Sequence, residues 1–224
     1  MNFEQARFNM IEQQIRPWDV LDRRVLNLFL TVRREEFVPA AYKSLAFADV
    51  EIPIGSGASM LKPLVEGRIL QVLQPKQSDT VLEVGAGSGY FAALLAACTN
   101  WVRTIDIEPA LVNLANDNLS RYGVNNVIVE DGDASQGWPQ RAPYDLIVIS
   151  GSLPAVSNGL HGLPQSLLAQ LKPKGRLFAF VGDAPVMTGR LITCLSEGQY
   201  QAEDLFESCV APLKTASPDR AFHF

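Results

Sequence analysis

One stretch restricts the fold more than any other: Thr80-Val-Leu-Glu-Val-Gly-Ala-Gly-Ser-Gly-Tyr90, an apolar run with an acid near its end, then three glycines at alternate positions. The run reads as a buried strand, and the glycines as a turn. Only residues without a Cβ bend the backbone this tightly while letting a ligand approach it. The following Tyr90-Phe-Ala-Ala-Leu-Leu-Ala-Ala-Cys98 reads as a buried helix whose first N–H groups face the same ligand. Strand, turn and helix together predict the first unit of a nucleotide-type α/β sheet. A dinucleotide pyrophosphate asks for G-x-G-x-x-G; here the spacing is G-x-G-x-G with Tyr90 in the sixth place, a poor fit to NAD. Glu83 precedes Gly85 by two residues, at a strand end where a carboxylate meets a ligand's ammonium group. A cationic amino-acid ligand therefore fits better than a phosphate.

The next segments extend this pattern. Trp101-Val-Arg-Thr-Ile-Asp106 reads as a second strand ending in an acid, 19 positions beyond Gly87. That is close to the spacing at which a strand-end carboxylate takes a ribose hydroxyl pair. Asp106 is thus the ribose candidate and Glu108 the runner-up, although Pro109 reads as the first residue of the next helix, 110–122, and makes Glu108 its neighbour at the cap. Asn126-Val-Ile-Val-Glu130 is a third strand. In the turn after it, Asp133 is the candidate for an adenine amino group and Asp131 a solvated acid. The apolar Tyr144-Asp-Leu-Ile-Val-Ile-Ser150 reads as a central parallel strand. A helix over 164–171, a stop at Lys172-Pro-Lys-Gly175, a fifth strand over 176–181, and further strands over 191–195 and 205–213 complete the reading. An acid two residues before G-x-G-x-G after an apolar strand resembles motif I of class I S-adenosylmethionine methyltransferases.

Upstream of the glycine turn the pattern is helical, with apolar faces at Phe3, Ala6, Met10, Ile11 and Ile15 and again at Val25, Leu26, Phe29, Leu30 and Val32. Pro17 separates the two, and Asp22 is placed to cap the second. The loop Ile52-Pro-Ile-Gly-Ser-Gly-Ala-Ser-Met-Leu-Lys-Pro63 then precedes a helix over 64–73, and a loop of this length before a cofactor strand is a candidate site wall. The expected division is a helical cover with the loop over 1–62 and a sheet-bearing core over 63–224.

Composition narrows the function classes. A net charge of −5 without a cluster of Lys and Arg argues against nucleic-acid binding. The apolar runs fall short of the ~20 residues that span a bilayer, and Met1-Asn-Phe-Glu-Gln carries no secretory signature, so neither membrane insertion nor export is expected. Cys98, Cys194 and Cys209 are odd in number and widely spaced, which suits reduced thiols in a cytoplasm and gives no metal pattern. His161 and His223 read as surface residues.

From about Ile11 to Leu213 the chain resembles the protein-L-isoaspartate O-methyltransferase family. The likeness rests on Arg34-Glu-Glu-Phe-Val-Pro39, Ile52-Pro-Ile-Gly-Ser-Gly57, the 81–90 motif, Gly132-Asp133 with Gly137-Trp-Pro139, the 144–150 strand and Leu171-Lys-Pro-Lys-Gly-Arg176. It implies a Rossmann-like, three-layer αβα fold with a seven-stranded sheet and an N-terminal helical cover. It also implies S-adenosylmethionine as cofactor, no metal, and methylation of isoaspartyl carboxylates in damaged proteins or peptides. By the same likeness Glu83, Gly85, Gly87, Gly89, Asp106 and Asp133 are the cofactor-binding residues.

The chain departs from the family at one place. The family loop reads Gly-x-Gly-Gln-Thr-Ile-Ser-x-Pro, with the Ser catalytic; here Leu61 occupies the serine position, Ala58 replaces Gln and Ser59 stands in place of Thr. Transfer to an ionised carboxylate needs positioning and partial desolvation rather than a base. A hydroxyl that orients the acceptor is still worth about 10²-fold. Ser59 is the candidate for that role, with Ser56 in the same loop; residues 59 and 61 of an extended segment point the same way, about 6–7 Å apart. Lys62 is a solvated cation or an attractor for an anionic acceptor. The departure leaves two other readings open, namely a different small-molecule or protein acceptor and a cofactor-binding module without turnover.

Overall fold

The computed structural model describes residues 2–154 and 160–215. Its centre is a seven-stranded sheet in the order β5-β4-β3-β6-β7-β8-β9. The strands are β3 (Thr80–Val84), β4 (Trp101–Asp106), β5 (Val127–Asp131), β6 (Tyr144–Leu153), β7 (Leu171–Val181), β8 (Met187–Ser196) and β9 (Gln199–Ser208). The first five pair in parallel, and β8 runs antiparallel to both β7 and β9. The strand order reverses between β3 and β6, the place where α/β sheets open a crevice at their carboxyl ends.

Alternation along the strands splits the core in two. Val81, Val102, Leu146, Val148, Phe178 and Phe180 face one side. There they meet α3 (Pro63–Leu73), α4 (Tyr90–Ala96) and α5 (Pro109–Tyr122). Leu82, Val84, Ile105, Ile147, Ile149, Leu177 and Ala179 face the other, against the short α6 (Gln165–Leu168) and the segments around Trp138 and Leu163. Period-2 strands buried on both faces are what near-continuous apolar runs give.

The N-terminal elements α1 (Phe3–Met10) and α2 (Arg23–Thr31) lie on the first side, joined by a π-helical turn at Ile11–Ile15 and a 3₁₀ turn at Arg16–Trp18. Asp22 caps α2 by accepting the Arg24 amide hydrogen at 2.8 Å. Met10, Ile15, Phe29 and Phe37 share one cluster with Leu70, Tyr90 and Phe91. Gly67, inside α3, lets this cover approach: a Cβ there would lie 3.1 Å from Ile15 Cγ2 and 3.5 Å from Phe29 Cε2. The loop before α3 is a small hairpin of β1 (Ile52–Gly55) and β2 (Ala58–Met60), with Pro53 opposite Ser59.

Four sequence expectations shift. The helix over 164–171 contracts to α6, and β7 starts at Leu171 rather than 176, taking the Lys172-Pro-Lys-Gly175 stop into an irregular stretch of strand. The expected strand at 191–195 is the centre of the ten-residue β8. The strand read at 205–213 lies upstream as β9, which pairs with β8 along its length; β9 is an edge strand with a thin apolar pattern. His161 is half-buried, with its carbonyl accepting from Arg190 Nη1 at 2.6 Å; His223 falls outside the described residues. No helix among the described residues is long and apolar enough to cross a membrane.

Candidate active site

At the carboxyl ends of β3, β4 and β6 lies an open cleft. Its floor is the glycine turn, where Gly85, Gly87 and Gly89 take positive φ of 99°, 52° and 80°; Gly85 and Gly87 line the cleft, while Gly89 lies outside the lining, against α5. At Gly89 a side chain would also collide with α5, 3.2 Å from the Ala115 carbonyl oxygen. The turn is tied to its neighbours from both sides. Gly85 N–H donates to the Ile105 carbonyl at 2.8 Å. Asp106 Oδ2 accepts from Gly87 N–H at 3.0 Å while its Oδ1 accepts from Glu108 N–H at 3.1 Å.

Glu83 sits below this turn, fully buried. The Ser150 hydroxyl donates to its Oε1 at 3.3 Å. Its Oε2 makes no hydrogen bond of ordinary geometry, although the Thr104 hydroxyl on the adjacent strand approaches the carboxyl and favours its ionised form. Burial pushes the carboxyl up to about 8, and the nearby acids Asp106 and Glu66 add to the rise. A buried carboxyl with so few donors, on a residue that lines the cleft, is costly to ionise unless a cationic donor completes it. The ammonium of an amino-acid ligand is such a donor, and the glycines that line the cleft leave backbone rather than side chains around it. The residues present therefore fit the methyl donor expected from the sequence.

Of the other expected residues, Ser59 lines the cleft together with Gly57, Ala58, Met60 and Leu61. Leu61 is buried among apolar neighbours. Ser56 takes a positive φ of 50° at the tip of the hairpin and is not part of the lining; Lys62 also stays outside it. Glu108 lines the cleft as Asp106 does, so the acid that ends β4 and the one two residues beyond it both reach the cleft. After β5 the lining is formed by Gly132, Ala134 and Ser135, while the Asp133 carboxylate accepts from Ser135 N–H at 2.9 Å and lies outside the lining. Asp131 is exposed.

Sequence reasoning missed three contributors. Residues 211–214 run beside β6 and form one wall: Ser152 N–H donates to the Ala211 carbonyl at 3.0 Å and Leu213 N–H to the Ser152 carbonyl at 2.8 Å. At the mouth, Lys214 Nζ donates to both the Ser56 carbonyl and Glu108 Oε1, each at 2.7 Å. Glu66 and Tyr90 line the inner end of the cleft. Glu66 is buried and raised to about 7, first by burial, against the opposing pull of Arg34. A signal existed for Glu66, since it stands three and four residues before Ile69 and Leu70 on the buried stripe of α3. Nothing local pointed to 211–214.

Comparison with known proteins shows the family and the fold. The family model for protein-L-isoaspartate(D-aspartate) O-methyltransferase matches residues 5–212. The protein-L-isoaspartate O-methyltransferase of Petrotoga mobilis is 35% identical over 204 residues, covering 91% of this chain and 92% of that one. The enzyme of the same name from Methanospirillum hungatei is 37% identical over 197 residues, 88% of each chain. Among solved structures, a protein-L-isoaspartate O-methyltransferase superposes with a TM-score of 0.78 at 21% identity, over 94% of this chain and 65% of the other. A Plasmodium falciparum protein described as a methyltransferase of this kind, solved with S-adenosyl-L-homocysteine, gives 0.75 at 20% identity over 96% and 99%. The structural matches carry the fold, and the family model with the sequence relatives carries the membership: this chain belongs to the protein-L-isoaspartate(D-aspartate) O-methyltransferase family.

Proposed function

We propose that this chain is an S-adenosylmethionine-dependent carboxyl O-methyltransferase that acts on isoaspartyl residues of damaged proteins and peptides. Family membership supports the reaction, and the buried Glu83 with its sparsely bonded carboxyl beneath the glycine turn is the single observation in the fold that carries the cofactor. When bound, the cofactor supplies a methyl group on a sulfonium, which an oxygen nucleophile displaces in line.

In this reading the chain's own residues bind, orient and exclude water. Glu83 holds the cofactor's ammonium, the Gly85 and Gly87 backbone lies against its amino-acid portion while Gly89 holds the turn against α5, and Asp106 takes the ribose hydroxyls. Asp133 serves the adenine end through the turn it stabilises at Ser135. Ser59, on the cleft wall, orients the acceptor carboxylate. That carboxylate is ionised at neutral pH and needs no general base, so a site whose inner wall is Met60, Leu61 and Tyr90 contributes by holding and partly desolvating it. The products are a methyl ester and S-adenosylhomocysteine. A cytoplasmic setting agrees with the three free thiols, Cys98, Cys194 and Cys209.

The test is incubation with methyl-labelled S-adenosylmethionine and an isoaspartyl peptide, followed by base treatment and measurement of volatile methanol. Release from the isoaspartyl peptide, with the matched aspartyl peptide silent, is the expected result. Silence on both peptides from a protein that binds S-adenosylhomocysteine would overturn the acceptor while leaving the cofactor intact.

A further inference from the structure

Beneath the acceptor side of the cleft lies a buried charged group that the reaction chemistry does not require. Arg34 is 1% exposed, in the turn Arg34–Glu36 that follows α2. Its Nη1 donates to Glu66 Oε2 at 2.6 Å, and its Nη2 donates to the carbonyl oxygen of Leu61 at 2.6 Å. Its Cζ lies 4.9 Å from the centroid of the Tyr90 ring. One guanidinium thus joins the loop that carries Ser59 and Leu61, the helix α3 that follows it, and the first residue of α4, next to the glycine turn. A planar fork reaches two acceptors in different directions at once, which a lysine ammonium on a flexible stem does less well.

We propose that Arg34 is a positioning residue for methyl transfer: clamped by Glu66, it fixes the acceptor loop at Leu61 and so sets where Ser59 stands relative to the cofactor. The proposal rests on the methyltransferase reading of the cleft. Two physical points support it. A buried ion pair is a poor source of stability compared with apolar side chains of the same volume, so stability alone gives little reason for one here. The bond to Leu61 also lies two residues from Ser59 on the same short stretch, so a shift of that carbonyl moves the cleft wall directly. Misplacement of about 1 Å costs about 10²-fold in rate.

The experiment compares wild type with Arg34→Met/Glu66→Leu, which removes both charges together and leaves no unpaired buried ion, and with Arg34→Lys. Three quantities are read: S-adenosylhomocysteine affinity by calorimetry, kcat and acceptor KM with the isoaspartyl peptide, and hydrogen exchange of the amides at residues 57–62. The double variant is expected to melt cooperatively and to bind S-adenosylhomocysteine within about threefold of wild type. It should exchange faster at 57–62 and lose about 10²-fold in kcat/KM, with Arg34→Lys recovering part of that loss. Unchanged exchange at 57–62 in a folded double variant overturns the proposal, as does a kcat/KM loss that only tracks weakened cofactor binding. If wild type is silent on the peptide, the function proposed above fails, and the exchange measurement still decides the role of Arg34. If the double variant does not fold, the same exchange and kinetics on Arg34→Lys decide it.

Discussion

Asp106 Oδ2 accepts the amide hydrogen of Gly87 at 3.0 Å, so the acid that ends β4 also holds the middle of the glycine turn on β3. One carboxylate therefore shapes the floor of the cleft and, in the function proposed above, also takes the ribose hydroxyls. Asp106→Ala removes both functions. A hydrogen bond to a charged group contributes about 1.5–3 kcal/mol, so S-adenosylhomocysteine affinity should fall about 10- to 100-fold. Asp133→Ala, whose carboxylate lies outside the lining, should cost less. Calorimetric titration of both variants ranks them, and a larger loss at Asp133 would reverse the assignment.

Glu83 and Glu66 give the protein a pH signature. Burial raises their carboxyls from 4.5 to about 8 and about 7. Each acid holds its proton more tightly folded than unfolded. The stability they contribute is therefore complete below about pH 4.5 and is lost as the pH rises through about 7 and then about 8. A bound ammonium favours ionised Glu83 and offsets its part of the loss. The apo protein should melt at progressively lower temperature from about pH 4.5 to about 8 and level off above that, while the stabilisation given by S-adenosylhomocysteine grows as the pH rises towards about 8. In Glu83→Gln that growth should vanish. Thermal melts with and without the ligand read both effects.

Ser59→Ala should lower kcat for the isoaspartyl peptide by about 10²-fold with cofactor affinity unchanged, the usual cost of deleting one orienting donor. Leu61→Ser in the Ser59→Ala background should restore part of the rate. It also removes buried apolar volume, and a loss of about 2–3 kcal/mol in stability should accompany the gain. If Ser59→Ala is as active as wild type, the serine is not the orienting group.

Gly67→Ala tests how the N-terminal cover docks. The added methyl would press on Ile15, Val20 and Phe29, all on the cover. Overpacking of this kind costs about 1–3 kcal/mol, and each kcal/mol lowers the melting temperature by about 2–4 °C in a chain of this size. Alanine is also the better helix former by about 1 kcal/mol, so an unchanged denaturant midpoint would mean that the cover yields at a cost no larger than that gain.

The parts of the site that are legible in the sequence are those made by local chain geometry. Glu83, the three glycines and Asp106 come together because a strand, a tight turn and the next parallel strand place them within a few residues of each other in register, with Glu83 opposite Thr104 and Val84 opposite Ile105. The parallel core strands were legible from their unbroken apolar runs. Arg34 and Glu66 were not, since their pairing spans 32 positions and a charge on an apolar stripe announces burial without naming a partner. The β9 edge was misplaced because half of its residues face away from the core, so the apolar signal that marks a strand was diluted. Residue type alone points to Asp133 in the turn after β5, whereas the turn's backbone brings Gly132, Ala134 and Ser135 to the cleft.

The bond from Lys214 to Ser56 joins positions 158 apart in sequence at the mouth of the cleft. Closing so long a loop costs chain entropy, so the bond depends on the sheet between its two ends being folded. Loss of order in that sheet therefore loosens the mouth of the cleft as well.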